Sequence, residues 1–223
     1  TRIPLTYNGA NPYPGNIYLL SNQDGRRGYS YSITFTLDKA FRNGFAFNAN
    51  YTYGNSVSLN EGTSSQNNSQ WRYIETVNGR NNMTLSNSDF SLGHRINAFV
   101  SKQFNYFNKS MSTIISLVYN GQSGNPFSYV YRGSPVNDFA SSESNDLIYI
   151  PTASELQSMN FLTNTVGGVT YTAQQQKDAL EQYIENDKYL SKNRGKFAER
   201  NGSRLPFTNI LDLKLEQRFQ MKL

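Results

Sequence analysis

Residues 29–55 alternate bulky apolar side chains with small or polar ones at a period of two, and no other stretch constrains the fold as tightly. Tyr29, Tyr31, Ile33, Phe35 and Leu37 take one parity, and Ser30, Ser32, Thr34, Thr36 and Asp38 take the other. Beyond Asn43-Gly44, Phe45, Phe47, Ala49, Tyr51 and Tyr53 alternate with Ala46, Asn48, Asn50 and Thr52. A strand turns successive side chains to opposite faces, so each segment presents one apolar and one polar face. Asn-Gly tolerates the left-handed backbone of a tight hairpin turn, which predicts that the two segments pair antiparallel.

Composition decides which kind of apolar medium that face meets. The chain has 16 Tyr and 14 Phe among 223 residues, aliphatic residues are sparse, and the mean hydropathy is −0.64. Apolar residues spread thinly along alternating segments suit a sheet with one apolar face better than a two-sided core. Cysteine is absent, which excludes disulfides and thiolate metal sites. The formal charge is +5, but Lys and Arg are scattered and their densest cluster, 188–204, is rich in Gly and Asn, so nucleic-acid binding is not expected. No apolar run approaches the ~20 residues of a membrane helix.

Four more features complete the organisation. Residues 1–28 read as a loop with a short strand at 17–21. Strands are expected near 29–39, 45–55, 90–104, 110–122 and 207–219, with Phe99 breaking the alternation of the third. The connections after the first and third are short, whereas those after the second and fourth, 56–89 and 123–206, are long. Within the longer one, Thr152 with Glu155 and Thr172 with Gln175 have capping-box spacing, and the second predicts a helix over 173–186 with Leu180, Tyr183 and Ile184 on one face.

Short turns at one end of a meander and long loops at the other are the pattern of an outer-membrane barrel. Tyr29, Tyr31, Tyr51, Tyr53 and Tyr119 lie toward the long loops, and Phe41, Phe45, Phe104, Tyr106, Phe107 and Phe219 toward the short turns. Ile33, Phe35, Ala49, Ala98, Ile115 and Leu213 lie between them, as expected of two aromatic girdles around a lipid-facing band. The fold class is therefore all-β: a fragment of an antiparallel up-and-down transmembrane β-barrel, about five strands, with long extracellular loops containing short helices. A soluble β-rich adhesin or carbohydrate-binding module is the second reading.

Particular words in the sequence carry a family resemblance. NPYPGNIYLL (11–20), GYSYSITFTLDKAFRNGFAFNANYTYG (28–54), HRINAFVS (94–101), YNGQSGNPFSYVY (119–131), NDLIYIP (145–151) and RNGSRLPFTNILDLKLEQRF (200–219) occur in this order over nearly the whole chain. Together they resemble the carboxyl-terminal barrel of TonB-dependent receptors, most closely the subgroup with an amino-terminal carboxypeptidase-like regulatory domain. The resemblance implies an outer-membrane transporter of a bulky nutrient (siderophore, peptide or oligosaccharide) in a Gram-negative cell. It also implies that the chain supplies only the last strands of a plugged barrel of about 22. The expected partners are the rest of the barrel and its plug, the TonB complex reached through the missing amino-terminal region, a surface lipoprotein and outer-membrane lipid.

Candidate sites are few. Trp71, Tyr73, Phe127, Tyr129 and Tyr131 are loop aromatics able to stack on a ligand. Asp138, Glu143 and Asp146, with Asn137 and Asn145, are weak calcium candidates whose spacing does not fit an EF-hand loop; no metal or other cofactor is expected. The sole histidine, His94, has no glycine-elbow nucleophile motif beside it, which argues against catalysis there, and the transport that the resemblance implies makes and breaks no bond, so the chain is read as non-enzymatic. The glycines of 121–126 lack the Lys-Ser/Thr of a phosphate loop and mark a strand exit. Asp212, Lys214 and Glu216 oppose Leu211, Leu213 and Leu215, so the polar face of the last strand is expected to line the lumen.

Overall fold

The computed structural model describes residues 28–133, 135 and 144–220; the strand expected at 17–21 lies outside them. Five long strands carry the architecture: β1 (Tyr29–Arg42), β2 (Phe45–Ser58), β3 (Gly93–Tyr106), β4 (Met111–Gln122) and β5 (Thr208–Phe219). Each pairs antiparallel with the next, so the sheet is a meander in chain order, with β1 and β5 at its two edges. Among the described residues the sheet is not closed. No helix among the described residues is long and apolar enough to cross a membrane.

Register converts the sequence alternation into two continuous faces. Leu37, Ala49, Ala98, Tyr119 and Leu211 form one cross-strand row, and Lys39, Phe47, Val100, Leu117 and Leu213 form the next on the same face. Thr36, Asn50, Asn97, Asn120 and Ile210 form a row on the opposite face, followed by Asp38, Asn48, Phe99, Val118 and Asp212. That second face is knitted by side chains: Thr34 and Thr52 hydroxyls lie 2.9 Å apart, the Thr36 hydroxyl donates to Asn50 Oδ1 at 2.7 Å, and Asn48 Nδ2 donates to Asp38 Oδ1 at 2.9 Å. A slip of one residue would carry every one of these polar groups to the apolar side, which pins the register. Phe99 sits among the polar rows because Ala98 and Val100 keep the apolar parity on either side of it.

The turns follow from backbone chemistry. Asn43 and Gly44 have φ of 53° and 68°, the left-handed pair of a tight hairpin. Gly44 is doubly constrained, since a Cβ there would stand 2.6 Å from the Gln103 carbonyl oxygen. The β3–β4 turn reaches the same conformation without glycine: Phe107, Asn108 and Lys109 have φ of 50°, 48° and 69°. Strand β3 begins at Gly93 rather than near residue 90, because the backbone turns into the sheet at Gly93, whose φ is 69°.

Near the long-loop end of the sheet, the tyrosines form a hydrogen-bonded band. Tyr53 packs 4.9 Å from the His94 ring, and the Tyr51 hydroxyl shares a 2.7 Å hydrogen bond with His94 Nδ1. The Tyr119 ring lies across Gly121, where a Cβ would come within 2.5 Å of its oxygen, and its hydroxyl donates to Asn209 Oδ1 at 2.6 Å. His94 thus belongs to the aromatic band. Near the short turns the rings are Phe45 with Phe47 at 6.0 Å, and Tyr106 with Phe107 at 5.5 Å.

The chain divides into two compact units: the sheet, comprising residues 28–57, 87–126 and from 204 onward, and a loop unit built from 58–86 and 127–203. The loop unit has a core of its own, Leu147, Ile150, Ile184, Leu190 and Ala198, with Val77, Tyr129, Val130, Ile148, Leu180 and Tyr189 packed against it. Its axis is the segment 145–150. On one edge Thr76 N donates to Asn145 O at 3.0 Å and Leu147 N to Thr76 O at 3.1 Å. Tyr131 N donates to Asp146 O at 2.9 Å, Ile148 N to Tyr129 O at 3.1 Å, and Ala198 N to Ile148 O at 2.7 Å. The two long connections are therefore woven into one body.

Among the described residues, three α-helices complete it: α1 (Asn67–Arg72), α2 (Ala153–Ser158) and α3 (Ala173–Asn186). Both capping boxes form. Glu155 N donates to the Thr152 hydroxyl and Thr152 N to Glu155 Oε2; Gln175 N donates to the Thr172 hydroxyl and Thr172 N to Gln175 Oε1. Each box satisfies amide groups that the first helical turn leaves unpaired. The helix expected over 173–186 is α3; on its face Ile184 is buried and Leu180 packs against the core, while Tyr183 is 56 % exposed.

Candidate functional site in the loop unit

The aromatic candidates all belong to the loop unit, but different elements position them. Trp71 sits in the last turn of α1, where its Nε1–H donates to Asn81 Oδ1 at 2.9 Å and the Arg80 guanidinium lies 5.1 Å over its ring. It is half-buried, not an exposed loop side chain. Tyr73 follows the helix, 56 % exposed, with the Arg72 guanidinium 5.4 Å from its ring. A planar cation against an aromatic face holds that ring in place without covering it.

Tyr129 and Tyr131 lie along one edge of the 145–150 segment, Phe127 precedes them in the chain, and the three rings have different partners. Phe127 packs edge-on to Tyr129 at 5.1 Å, and Tyr129 stacks on Tyr189 at 6.1 Å. The Tyr129 hydroxyl donates to Asp187 Oδ2 at 2.6 Å, so this ring is a structural member of the core rather than a free stacking surface. Tyr131 is 39 % exposed, and its hydroxyl accepts from Tyr149 N at 3.2 Å. Tyr149 in turn packs edge-on to Phe197, 48 % exposed, at 5.2 Å. Tyr131, Tyr149 and Phe197 therefore gather at the surface from three separate parts of the chain. Only Tyr131 is a candidate from the sequence, because nothing local to Tyr149 or Phe197 signals the long-range pairing that joins them.

Charge around this cluster is fixed by hydrogen bonding. Burial tends to raise the Asp187 carboxyl, but the Tyr129 hydroxyl and the Leu190 and Tyr189 amides donate to it, outweigh burial and hold it below the usual carboxylate range. The same burial, followed by the bond to Asp187, pushes the Tyr129 phenol well above its ordinary value. Glu155 is held low by the Thr152 amide and then by the Tyr149 hydroxyl, which donates to it at 2.9 Å. Arg194 makes a two-pronged ion pair with Glu181, at 2.7 and 3.1 Å, and donates to the Pro151 carbonyl at 3.2 Å.

Of the calcium candidates, Asp138 and Glu143 lie outside the described residues, as does Asn137. Asp146 is buried, with its backbone committed to Tyr131. Asn145 is buried too, and its Nδ2 donates to the Ile74 and Arg72 carbonyls while its Oδ1 accepts from Arg80. An amide that points its donor at carbonyls is a cross-brace between the two long loops. Among the described residues no group of three or more His, Cys, Asp or Glu side chains is placed to hold a metal ion.

The words that carry the resemblance have structural work to do. In RNGSR (200–204), Arg200 is buried and donates to the Ser58 carbonyl at 2.5 Å, and Asn201 has φ of 56°. Gly202 lies under Tyr189, where a Cβ would meet the ring oxygen at 2.5 Å. At the base of β5, Arg204 donates to the Ser91 hydroxyl at 2.7 Å.

Residues 2–222 match the family model of the outer membrane beta barrel domain. No curated protein and no solved structure matches the chain. A family match along almost the full length, on an antiparallel meander with one continuous apolar face, establishes that this chain belongs to the outer membrane beta barrel domain family and resides in the outer membrane.

Proposed function

We propose that the chain is the carboxyl-terminal part of a TonB-dependent receptor, a transporter that draws a bulky nutrient across the outer membrane using the inner-membrane proton gradient. The observation that carries this reading is the loop unit. Two connections of tens of residues fold into one body with its own core and a surface aromatic cluster, Tyr131, Tyr149 and Phe197. A barrel that only anchored itself in lipid would have no use for so large a folded outer surface, whereas a receptor needs one to capture a ligand. Exposed Tyr73 adds a further stacking face. The outer-membrane location leaves the soluble adhesin or carbohydrate-binding module without support.

The open sheet supports the same reading. In hydrocarbon, unpaired edge groups cost several kcal/mol each, and ~8 strands make the smallest membrane barrel, so a five-strand sheet needs further strands beside β1 and β5. Those strands, a plug inside them, the TonB complex and a surface lipoprotein are the proposed partners. The reaction is translocation without bond chemistry. Siderophore, peptide and oligosaccharide remain the ligand classes.

The test is nutrient-limited growth of the native cell with the gene intact or deleted, each with and without TonB. Growth on one nutrient class that needs both genes is expected. Growth that needs the barrel but is indifferent to TonB overturns the proposal, as does a monodisperse, membrane-inserted species formed from these 223 residues alone.

A further inference from the structure

The apolar face of the sheet is not uniformly bulky. Ala49 and Ala98 stand directly opposite each other in the β2–β3 register. Phe47, Val100, Leu117 and Tyr119 surround them, leaving a recess of about 230 Å³. Toward the short turns, the same face carries two lysines. Lys39 is the register partner of Phe47, and Lys102 pairs with Phe45 on one side and Ile115 on the other. Lys39 Nζ lies 5.2 Å over the Phe45 ring; Lys102 Nζ lies 5.9 Å over Phe104 and donates to the Asn43 carbonyl at 3.4 Å.

Two cations on a lipid-facing surface are costly at the bilayer centre and tolerated near its interface, where the stems lie along apolar surface and the ammonium groups reach the headgroups. Short turns face the periplasm, so these lysines mark the periplasmic interface. Lys102 is four residues along β3 from Ala98, about 13 Å at 3.3 Å per residue, which is within the length of one acyl chain. Along the strands two rows that each pair a lysine with a phenylalanine, Lys102 with Phe45 and Lys39 with Phe47, are followed by the row of the alanine recess, an order that matches headgroup and then hydrocarbon.

We propose that Lys39, Lys102 and the Ala49–Ala98 recess form a binding site for one phospholipid of the periplasmic leaflet. The two ammonium groups take its phosphate, Phe45 lies beneath the headgroup, and one acyl chain runs over the paired alanines. The site rests on the membrane location alone and is independent of what the barrel transports.

The experiment uses the complete barrel in phosphatidylcholine vesicles with spin-labelled phosphatidylglycerol as probe, and heat-modifiable gel mobility to verify folding. In the Lys39→Gln/Lys102→Gln variant the association of the probe falls by roughly fivefold per lysine. Ala98→Leu, which keeps both charges and fills the recess, reduces the immobilised acyl-chain signal. Unchanged association in the lysine variant overturns the headgroup site, and an unchanged acyl signal in Ala98→Leu overturns the seat. Displacement of the probe by inorganic phosphate alone, or occlusion of the face by a second copy of the chain, overturns the assignment to a lipid.

Discussion

Replacing an aliphatic residue by arginine on the two faces of β5 gives a matched pair that separates lipid from lumen. Leu213 lies on the apolar face in the row of Phe47, Val100 and Leu117; Ile210 lies on the polar face beside Asn120. Both are aliphatic and at least half exposed in this chain, 70 % and 50 %, so neither substitution opens a packed core. The 12 residues of β5 rise about 3.3 Å each and, tilted near 45°, project to about 28 Å along the membrane normal, which puts Leu213 near the midplane. Arginine there costs about 2–4 kcal/mol, a fall of roughly 30- to 900-fold in the folding equilibrium. Arginine at Ile210 meets a hydrated, hydrogen-bonded surface and costs within about 1 kcal/mol. Urea titration of the complete barrel in phospholipid vesicles, read by heat-modifiable gel mobility, measures both. Equal destabilisation by the two variants would refute the facial assignment.

Three further outcomes test the loop unit. Ile150 is fully buried in its core, so Ile150→Ala destabilises the unit by about 2–5 kcal/mol; limited proteolysis should cut the loops sooner while the gel mobility of the barrel is unchanged. Gly202→Ala drives a Cβ into Tyr189 and costs about 1–3 kcal/mol, checked by the same proteolysis and relieved by a smaller residue at Tyr189. Asp187 has a folded-state carboxyl below its unfolded value, so its contribution is fully present above the unfolded pKa of about 4 and is lost as pH falls through the lower folded value. Protease resistance of the loops should therefore hold from pH 7 to about 4.5 and decline below it, and Asp187→Asn should weaken this dependence on acid, leaving the share of Glu155, whose carboxyl is also held low.

The sheet was legible because its signal is local. Alternation in 29–55, the Asn43-Gly44 turn and the contrast of short and long connections depend on neighbours in sequence, and they yielded strands, pairing and facing. So did the capping boxes at Thr152 and Thr172, since a cap is complete within four residues. The β3–β4 turn was harder to read, because Phe107, Asn108 and Lys109 adopt left-handed backbone without a glycine to announce it. Least legible was the loop unit. Its axis, 145–150, draws Thr76, Tyr131 and Ala198 onto one segment across tens of residues, and no short-range pattern encodes those pairings. For that reason Tyr129, expected as an exposed aromatic, is a half-buried partner of Asp187, whereas Tyr149 and Phe197, which join Tyr131 at the surface, have no local signal in the sequence.

The facial assignment is tested most directly by site-directed spin labelling, for which these 223 residues contain no cysteine and any cysteine elsewhere in the complete barrel is first replaced by serine. Single cysteines placed in turn at 96–101 and 210–215 of the complete barrel, spin-labelled and reconstituted in vesicles, report contact with membrane-soluble oxygen and with a water-soluble nickel chelate. A period of two is expected: Ile96, Ala98, Val100, Leu211, Leu213 and Leu215 favour oxygen, and Asn97, Ser101, Asp212 and Lys214 favour the chelate, with Phe99 following its polar-face neighbours. Uniform access to the chelate along both strands, or oxygen contact on the odd positions of β3, would contradict it.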